Sequence, residues 1–147
     1  LLCERSVLRL QGERAARKLA HWQAVAVAAS EQCGRAIVPL VAPMQNLPAW
    51  LNGLESASRC GDGDPASNWR GVLSLREATA IGQCLPGGAL PQCVSFLSGP
   101  EGGLSESEEA GARAAGFAAV SLGPRILRAD TAPLAALAWV ALAAAQP

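Results

Sequence analysis

The chain has 147 residues, enough for one domain with a sizeable core, and 50% of them are hydrophobic. Its 12 basic and 12 acidic residues balance to a net charge of zero, so charge alone gives no indication of nucleic-acid binding, which usually accompanies a basic excess. A single histidine excludes a histidine-based metal centre, and five cysteines without a C-x-x-C pair favour free thiols over a zinc site or a disulfide framework.

The first third of the chain predicts two helices and one strand. Apolar residues recur at three- and four-residue steps through the longer helix, and Gly34 suits the left-handed position that ends it. Pro39 suggests an edge or a bulge in the strand, and Pro48 fits the first turn of the second helix. In chain order the expected elements are a short strand or extended lead-in at Val7–Leu10, a helix from Glu13 to about Gln32, a strand at Ala36–Val41 and a helix at Leu47–Leu54.

The rest of the chain alternates strands with helices, which predicts an α/β domain with a largely parallel sheet. Ser105 and Glu108 form a capping-box pattern at the start of one helix. The expected elements are a polar loop at Ser56–Asn68, a strand at Gly71–Leu75, an irregular connection or frayed helix at Arg76–Gly88, a strand at Gln92–Ser98, a helix at Ser105–Ala115, a strand at Phe117–Leu122 and a helix at Asp130–Ala145.

Two glycine-proline turns follow apolar strands directly. One is Gly99-Pro100-Glu101-Gly102-Gly103, and the other is Gly123-Pro124-Arg125. In an open α/β sheet the carboxyl ends of the strands form the edge where ligands bind. Glycine keeps side chains out of the way of a ligand and permits positive φ. The two turns therefore predict a small-molecule site.

Three segments carry a resemblance to a known family. They are GPEGGLS from Gly99, LGPRILRADTA from Leu122, and the upstream His21-Trp22-Gln23 with Glu31-Gln32-Cys33-Gly34-Arg35. In their order along the chain, with the upstream segment first, they resemble the ribosomal RNA small subunit methyltransferase E family, RsmE, of the SPOUT class. The resemblance covers nearly the whole chain. The resemblance also implies a knotted chain. The pattern of strands and helices alone could not indicate a knot, because chains generally avoid them.

The resemblance implies a SPOUT α/β knot: a mostly parallel sheet with helices on both faces and a deep trefoil knot in the last third. It implies that residues 1–147 are the methyltransferase domain. A PUA-like β-barrel that binds RNA, together with a first strand and helix, precedes this domain in the family, and we expect these parts to be absent from the sequence. The implied activity is transfer of a methyl group from S-adenosylmethionine to N3 of a uridine in 16S ribosomal RNA of the small ribosomal subunit, in the cytoplasm.

The candidate site residues lie in the three motifs or at the carboxyl ends of the predicted strands. Arg125 and Arg128 are expected to stabilise negative charge on the acceptor uracil or to contact RNA, and Glu101 is the leading carboxylate for the N3 proton. Asp130 is the second carboxylate, although the family more often has Glu there. RNA contacts are also expected from Glu31, Gln32 and Arg35. The cofactor residues are expected to be Leu75, Leu97, Ser98, Gly99, Gly102, Gly103, Leu122, Gly123, Ile126 and Leu127.

Two other functions stay open. A SPOUT enzyme that methylates ribose 2′-oxygen typically carries Ser-Leu-Asn in the last loop, where this chain has Arg125-Ile126-Leu127-Arg128. A non-catalytic RNA-binding or ribosome-assembly module would not need two intact glycine-proline turns.

The helix at Asp130–Ala145 is apolar almost all round and shorter than the ~20 residues of a membrane span, so it predicts a homodimer rather than a membrane protein.

Overall fold

A parallel sheet of four short strands forms the centre of the fold. The structure, a computed structural model, describes residues 1–6, 12–54, 68–85 and 90–144. Within these ranges the sheet order is β2-β4-β1-β3, and every neighbouring pair is parallel. The strands are β1 (Asn68–Leu73), β2 (Thr79–Ala80), β3 (Cys93–Leu97) and β4 (Ala118–Ser121). This confirms the predicted α/β class and the parallel sheet, while the trefoil knot stays a prediction.

Four α-helices accompany the sheet in the described part of the chain. They are α1 (Gly12–Gln32), α2 (Leu47–Gly53), α3 (Glu106–Ala114) and α4 (Thr131–Ala144), and a short 3-10 helix spans Ile81–Gln83. All four predicted helices are confirmed, and no end differs from the predicted one by more than one residue. Among the residues described, no helix is both long and apolar enough to cross a membrane.

The hydrophobic core lies between the sheet and the helices α2 and α3. Val72 of β1 and Leu97 of β3 are paired in register and are 0% and 3% exposed. Phe117, directly before β4, packs in the same cluster with its ring centre 6.0 Å from that of Trp50. Burying side chains of this size stabilises a fold by about 1.5–3 kcal/mol each. This face of the sheet thus fixes the position of α3 and of the loop before it.

A buried carboxylate joins the start of the chain to the start of α3. Glu108 Oε2 accepts a hydrogen bond from the Ser105 backbone N–H at 2.9 Å, and Glu108 N donates to Ser105 Oγ, so the predicted capping box is confirmed. Glu108 Oε1 accepts from the Glu4 backbone N–H at 2.7 Å. Burial, and secondly the Glu108 carboxylate, raise the pKa of the neighbouring Cys3 thiol, which favours its protonated, unreactive form.

The α1 helix ends as predicted, but the strand expected after it is wrong. Arg35 N donates to Ser30 O and Gly34, with φ +69°, donates to Glu31 O, which is a Schellman motif. No strand forms in Ala36–Val41. Instead the Gln23 side chain on α1 donates to Pro39 O at 3.1 Å and accepts from Val41 N at 2.8 Å. Because proline lacks an N–H, and a side chain takes the neighbouring polar groups, this segment gains little from a partner strand.

The middle of the chain also departs from the sequence expectations. The strand β1 covers Asn68–Leu73 rather than Gly71–Leu75, which leaves Leu75 in a loop. The strand β2 lies in a segment expected to be irregular or helical, and it is only two residues long. Cys93 is disulfide-bonded, so the expectation of free thiols is wrong there. The predictions for Val7–Leu10 and for nearly all of the polar loop at Ser56–Asn68 fall outside the described residues.

Candidate functional site

A cavity of about 300 Å³ lies at the carboxyl edge of the sheet. Three strands end there at the same level, since Val72 pairs with Leu97 and Leu73 pairs with Val120. The loops that follow β1, β3 and β4 therefore meet around one space. It is lined by Arg5, Leu73, Ser74, Leu75, Arg76, Ser98, Gly99, Pro100, Glu101, Gly102, Gly103, Leu104, Glu109, Val120, Ser121, Leu122, Gly123, Arg125, Ile126, Leu127, Ala129 and Ala132.

The loop after β3 makes a tight turn that is closed by a backbone hydrogen bond. Gly103 N donates to Pro100 O at 2.8 Å. A Cβ atom at Gly99 would stand 2.8 Å from the backbone nitrogen of Leu104, closer than real Cβ contacts allow. Only glycine therefore fits at position 99 in this loop shape. The result is a wall of backbone groups that leads directly into the N-terminus of α3.

The loop after β4 carries the second glycine-proline turn. Ser121 Oγ donates to Gly123 O at 3.0 Å and accepts from Gly123 N at 3.3 Å. Gly123 has φ +127°, which side-chain-bearing residues rarely adopt. This turn directs the chain to Arg125, Ile126 and Leu127, all of which line the cavity.

Among the residues that the structure describes, five charged side chains line the cavity: Arg5, Arg76, Glu101, Glu109 and Arg125. Arg5 is held in place, because its Nη1 donates to Gly102 O at 2.7 Å. Arg125 and Glu101 are exposed, and neither makes a side-chain hydrogen bond or ion pair with any residue that the structure describes. A guanidinium and a carboxylate thus remain available at the cavity for a ligand.

Most of the predicted site residues meet at this cavity, and a few lie elsewhere. Of the predicted cofactor residues, Leu97 alone does not line the cavity, because it faces the hydrophobic core beneath it. Arg125 and Glu101 line the cavity, whereas Arg128 is exposed outside its lining. The remaining predicted RNA contacts are exposed at or just after the end of α1 and do not line the cavity: Glu31, Gln32 and Arg35.

Arg5, Ser74 and Glu109 line the cavity but were not identified from the sequence. Arg5 lies 97 positions before the glycine that it contacts, and Ser74 lies 35 positions before Glu109, to which its hydroxyl donates. No local pattern links such pairs. Within the described residues there is no group of three or more His, Cys, Asp or Glu side chains that could hold a metal ion.

The family model that describes an RNA methyltransferase domain matches residues 1–141. The chain is 34% identical over 136 residues to ribosomal RNA small subunit methyltransferase E of Bacillus subtilis, covering 92% of this chain and 51% of the relative. It is 33% identical over 140 residues to the protein of that name from Synechocystis, covering 95% of this chain and 42% of the relative. The resemblance read from the three motifs is confirmed, and the chain spans about half the length of these relatives.

Two solved structures extend the similarity to three dimensions. A ribosomal RNA small subunit methyltransferase E from Neisseria gonorrhoeae, bound to S-adenosyl methionine, superposes with a TM-score of 0.75 at 40% identity, over 95% of this chain and 52% of that one. A protein from Legionella pneumophila, in complex with the cofactor SAM, has a TM-score of 0.81 at 28% identity, over 97% of this chain and 53% of that one. Both structures share the fold of this chain.

Proposed function

This chain belongs to the RNA methyltransferase domain family, and from that premise we propose that it uses S-adenosylmethionine to methylate N3 of a uridine in 16S ribosomal RNA of the small ribosomal subunit. The observation that carries the proposal is the cavity at the carboxyl edge of the sheet. Both glycine-proline turns line it, together with an unpaired arginine, Arg125, and an unpaired carboxylate, Glu101, among the described residues. A ribosomal RNA substrate also implies a cytoplasmic location.

The cavity suits an adenosyl cofactor in both size and lining. Its volume of about 300 Å³ falls at the lower end of the range for small-molecule sites. Backbone N–H and C=O groups of the two glycine turns can bond an adenine edge, and apolar side chains can pack on its faces. S-adenosylmethionine supplies an electrophilic methyl group when bound. The residues that would hold it are Leu75, Ser98, Gly99, Gly102, Gly103, Leu122, Gly123, Ile126 and Leu127.

Arg125 and Glu101 would prepare the acceptor base. The N3 atom of a neutral uracil carries a proton, which must leave when nitrogen forms a bond to carbon. The Glu101 carboxylate would take this proton. Negative charge then develops on the uracil oxygens, and the permanently charged Arg125 guanidinium would stabilise it through hydrogen bonds. Because both side chains lack partners in the described chain, neither has to break an ion pair first.

RNA backbone contacts would come from side chains around the cavity rather than within it. Arg128 follows the second turn by only a few positions, is exposed, and is free of side-chain hydrogen bonds among the described residues. The planar guanidinium group of Arg128 can donate two parallel hydrogen bonds to a phosphate group. We assign it to anchoring RNA. The exposed end of α1 offers Arg35 for a second phosphate, with Glu31 and Gln32 beside it for polar contacts.

The proposed activity is tested by incubating the protein with S-adenosylmethionine and small ribosomal subunits that lack the modification. We expect one methyl group per subunit, and digestion to nucleosides followed by mass spectrometry should identify 3-methyluridine. Reverse transcription should stop at the modified position. A methylated ribose would instead support the 2′-oxygen activity. Absence of S-adenosylmethionine binding in calorimetry would support a non-catalytic RNA-binding module and contradict the proposal.

We also propose that the protein is a homodimer whose subunits meet through α4. This helix is apolar on all sides, yet three leucines on one side of it are largely exposed in the single chain. They are Leu134, Leu137 and Leu142, with exposures of 67%, 61% and 70%. A second copy of this surface would remove them from water, and C2 dimers are the commonest closed oligomers.

Light scattering at micromolar concentration should give the mass of a dimer for the unchanged protein. We expect Leu137→Glu to give a monomer, because a carboxylate would be buried without a partner in the interface. Leu40→Glu is the matched control, since Leu40 is 84% exposed but lies outside α4. The assignment of α4 fails when the unchanged protein is monomeric, or when both variants remain dimers.

A further inference from the structure

Helix α3 holds the first of the three cavity loops in place through side-chain hydrogen bonds. Ser74 Oγ, directly after β1, donates to Glu109 Oε1 at 2.5 Å. Arg113, one turn further along α3, donates from Nη2 to Glu109 Oε1 at 3.0 Å and to Arg76 O at 2.8 Å. One Glu109 carboxylate oxygen thus links Ser74, in the loop at 74–77, to α3. Arg113 links Arg76 of the same loop to that helix.

The Ser74–Glu109 contact is the most protected of these links. The Glu109 side chain is 13% exposed, whereas Glu106, which pairs with Arg76 at 2.9 Å, is 83% exposed. Exposed ion pairs contribute little because water screens them, but a hydrogen bond to a shielded carboxylate is considerably stronger. Among the side-chain links from α3 to this loop, the bond from Ser74 to Glu109 is therefore expected to contribute most.

We propose that Glu109 is a positioning residue for the cofactor site, acting through Ser74. The loop that it holds includes Leu75, one of the residues assigned to the cofactor, and both Ser74 and Glu109 line the cavity. Leu75 itself is 71% exposed, so its side chain provides little packing to keep the loop in one conformation. This inference rests on the proposed function, because it assumes that S-adenosylmethionine occupies this cavity.

The physical basis is preorganisation. A loop that is already fixed offers its backbone groups to a ligand without further ordering, whereas a loose loop must be ordered at the moment of binding, and this weakens affinity. Without the Glu109 carboxylate, the Ser74 hydroxyl loses its charged acceptor and Arg113 loses the partner that orients it. The cofactor would then have to order the loop itself.

A double-mutant cycle measured by calorimetry with S-adenosylmethionine tests this role. We expect Ser74→Ala and Glu109→Ala each to weaken binding about tenfold, which corresponds to the loss of one hydrogen bond to a charged group. The double variant should be clearly less than about 100-fold weaker, because both changes remove the Ser74–Glu109 bond. Each change also removes a further contact, the bond from Arg76 N to Ser74 Oγ or the bond from Arg113 to Glu109. Glu109→Gln should recover most of the affinity, since its amide oxygen can still accept from Ser74.

The matched control is Glu13→Ala on α1. It removes an ion pair of the same i,i+4 spacing and 3.0 Å length that lies far out in solvent, and it should leave affinity unchanged. If the unchanged protein does not bind S-adenosylmethionine, the proposed cofactor is wrong and this role falls with it. If the unchanged protein binds and both single variants bind equally well, the positioning role alone is wrong. Additive losses in the double variant would also overturn it, because Glu109 would then act on the ligand independently of Ser74.

Discussion

Replacing Arg125 with alanine should slow methyl transfer to small ribosomal subunits by about 10²-fold, the scale of losing one preorganised donor to a developing negative charge. Arg125 lines the cavity and has no side-chain partner among the described residues, so its removal should leave the fold intact. Affinity for S-adenosylmethionine and the melting temperature should therefore change little. Single-turnover assays at saturating cofactor give the rate of transfer, and calorimetry gives the affinity.

Two further variants sharpen the prediction for Arg125. Arg125→Lys keeps the charge but not the planar guanidinium group with its paired N–H donors, and should recover only part of the rate. Arg128→Ala is the matched control, because Arg128 is an exposed arginine three residues after Arg125 but lies outside the cavity lining. It should mainly raise the KM for small subunits and reduce the salt dependence of binding, as expected for a lost phosphate contact. Full activity in Arg125→Ala would refute the proposed role.

Placing a side chain at Gly99 should abolish binding of S-adenosylmethionine. The added Cβ of Gly99→Val would stand 2.8 Å from Leu104 N and 3.0 Å from Gly103 C, and these backbone atoms cannot rotate away as the end of a side chain can. The loop after β3 must then shift, and the cavity wall that it forms shifts with it. We expect a loss of about 100-fold or more in affinity, measured by calorimetry.

The other glycines of the two turns provide graded comparisons. A Cβ at Gly123 would meet none of the described atoms within 4 Å, but Gly123→Val forces a β-branched residue to φ +127°, so we expect a loss of similar size from strain alone. Gly102→Ala should cost the least of the three, because the nearest described atoms to its Cβ would be Arg5 side-chain carbons at 3.4 Å or more, and its φ is not positive. Melting curves should be measured for each variant, to show that it is folded. Unchanged affinity in Gly99→Val, in a folded protein, would place the cofactor elsewhere.

Patterns that act over a few residues allowed the helices to be predicted. The spacing of apolar residues marks α1, Gly34 marks its end, and Ser105 with Glu108 marks the start of α3. Each of these features acts within one or two turns of the chain, so the sequence carries the information locally. The strand predicted at Ala36–Val41 failed because a strand needs a partner. Whether one is within reach is decided by the rest of the fold, and here the Gln23 side chain takes the polar groups instead.

The sequence by itself determined that two glycine-proline turns follow strands of a parallel sheet and that Arg125 belongs to the second of them. The tertiary structure alone decided which residues share the cavity. Strand register brings the loops to one level, turns Leu97 into the core, and places Ser74 against Glu109 and Arg5 against Gly102. These contacts join positions 35 and 97 residues apart. A single sequence records the spacing of neighbours along the chain, whereas such pairs depend on how the elements pack, and packing is a property of the whole fold.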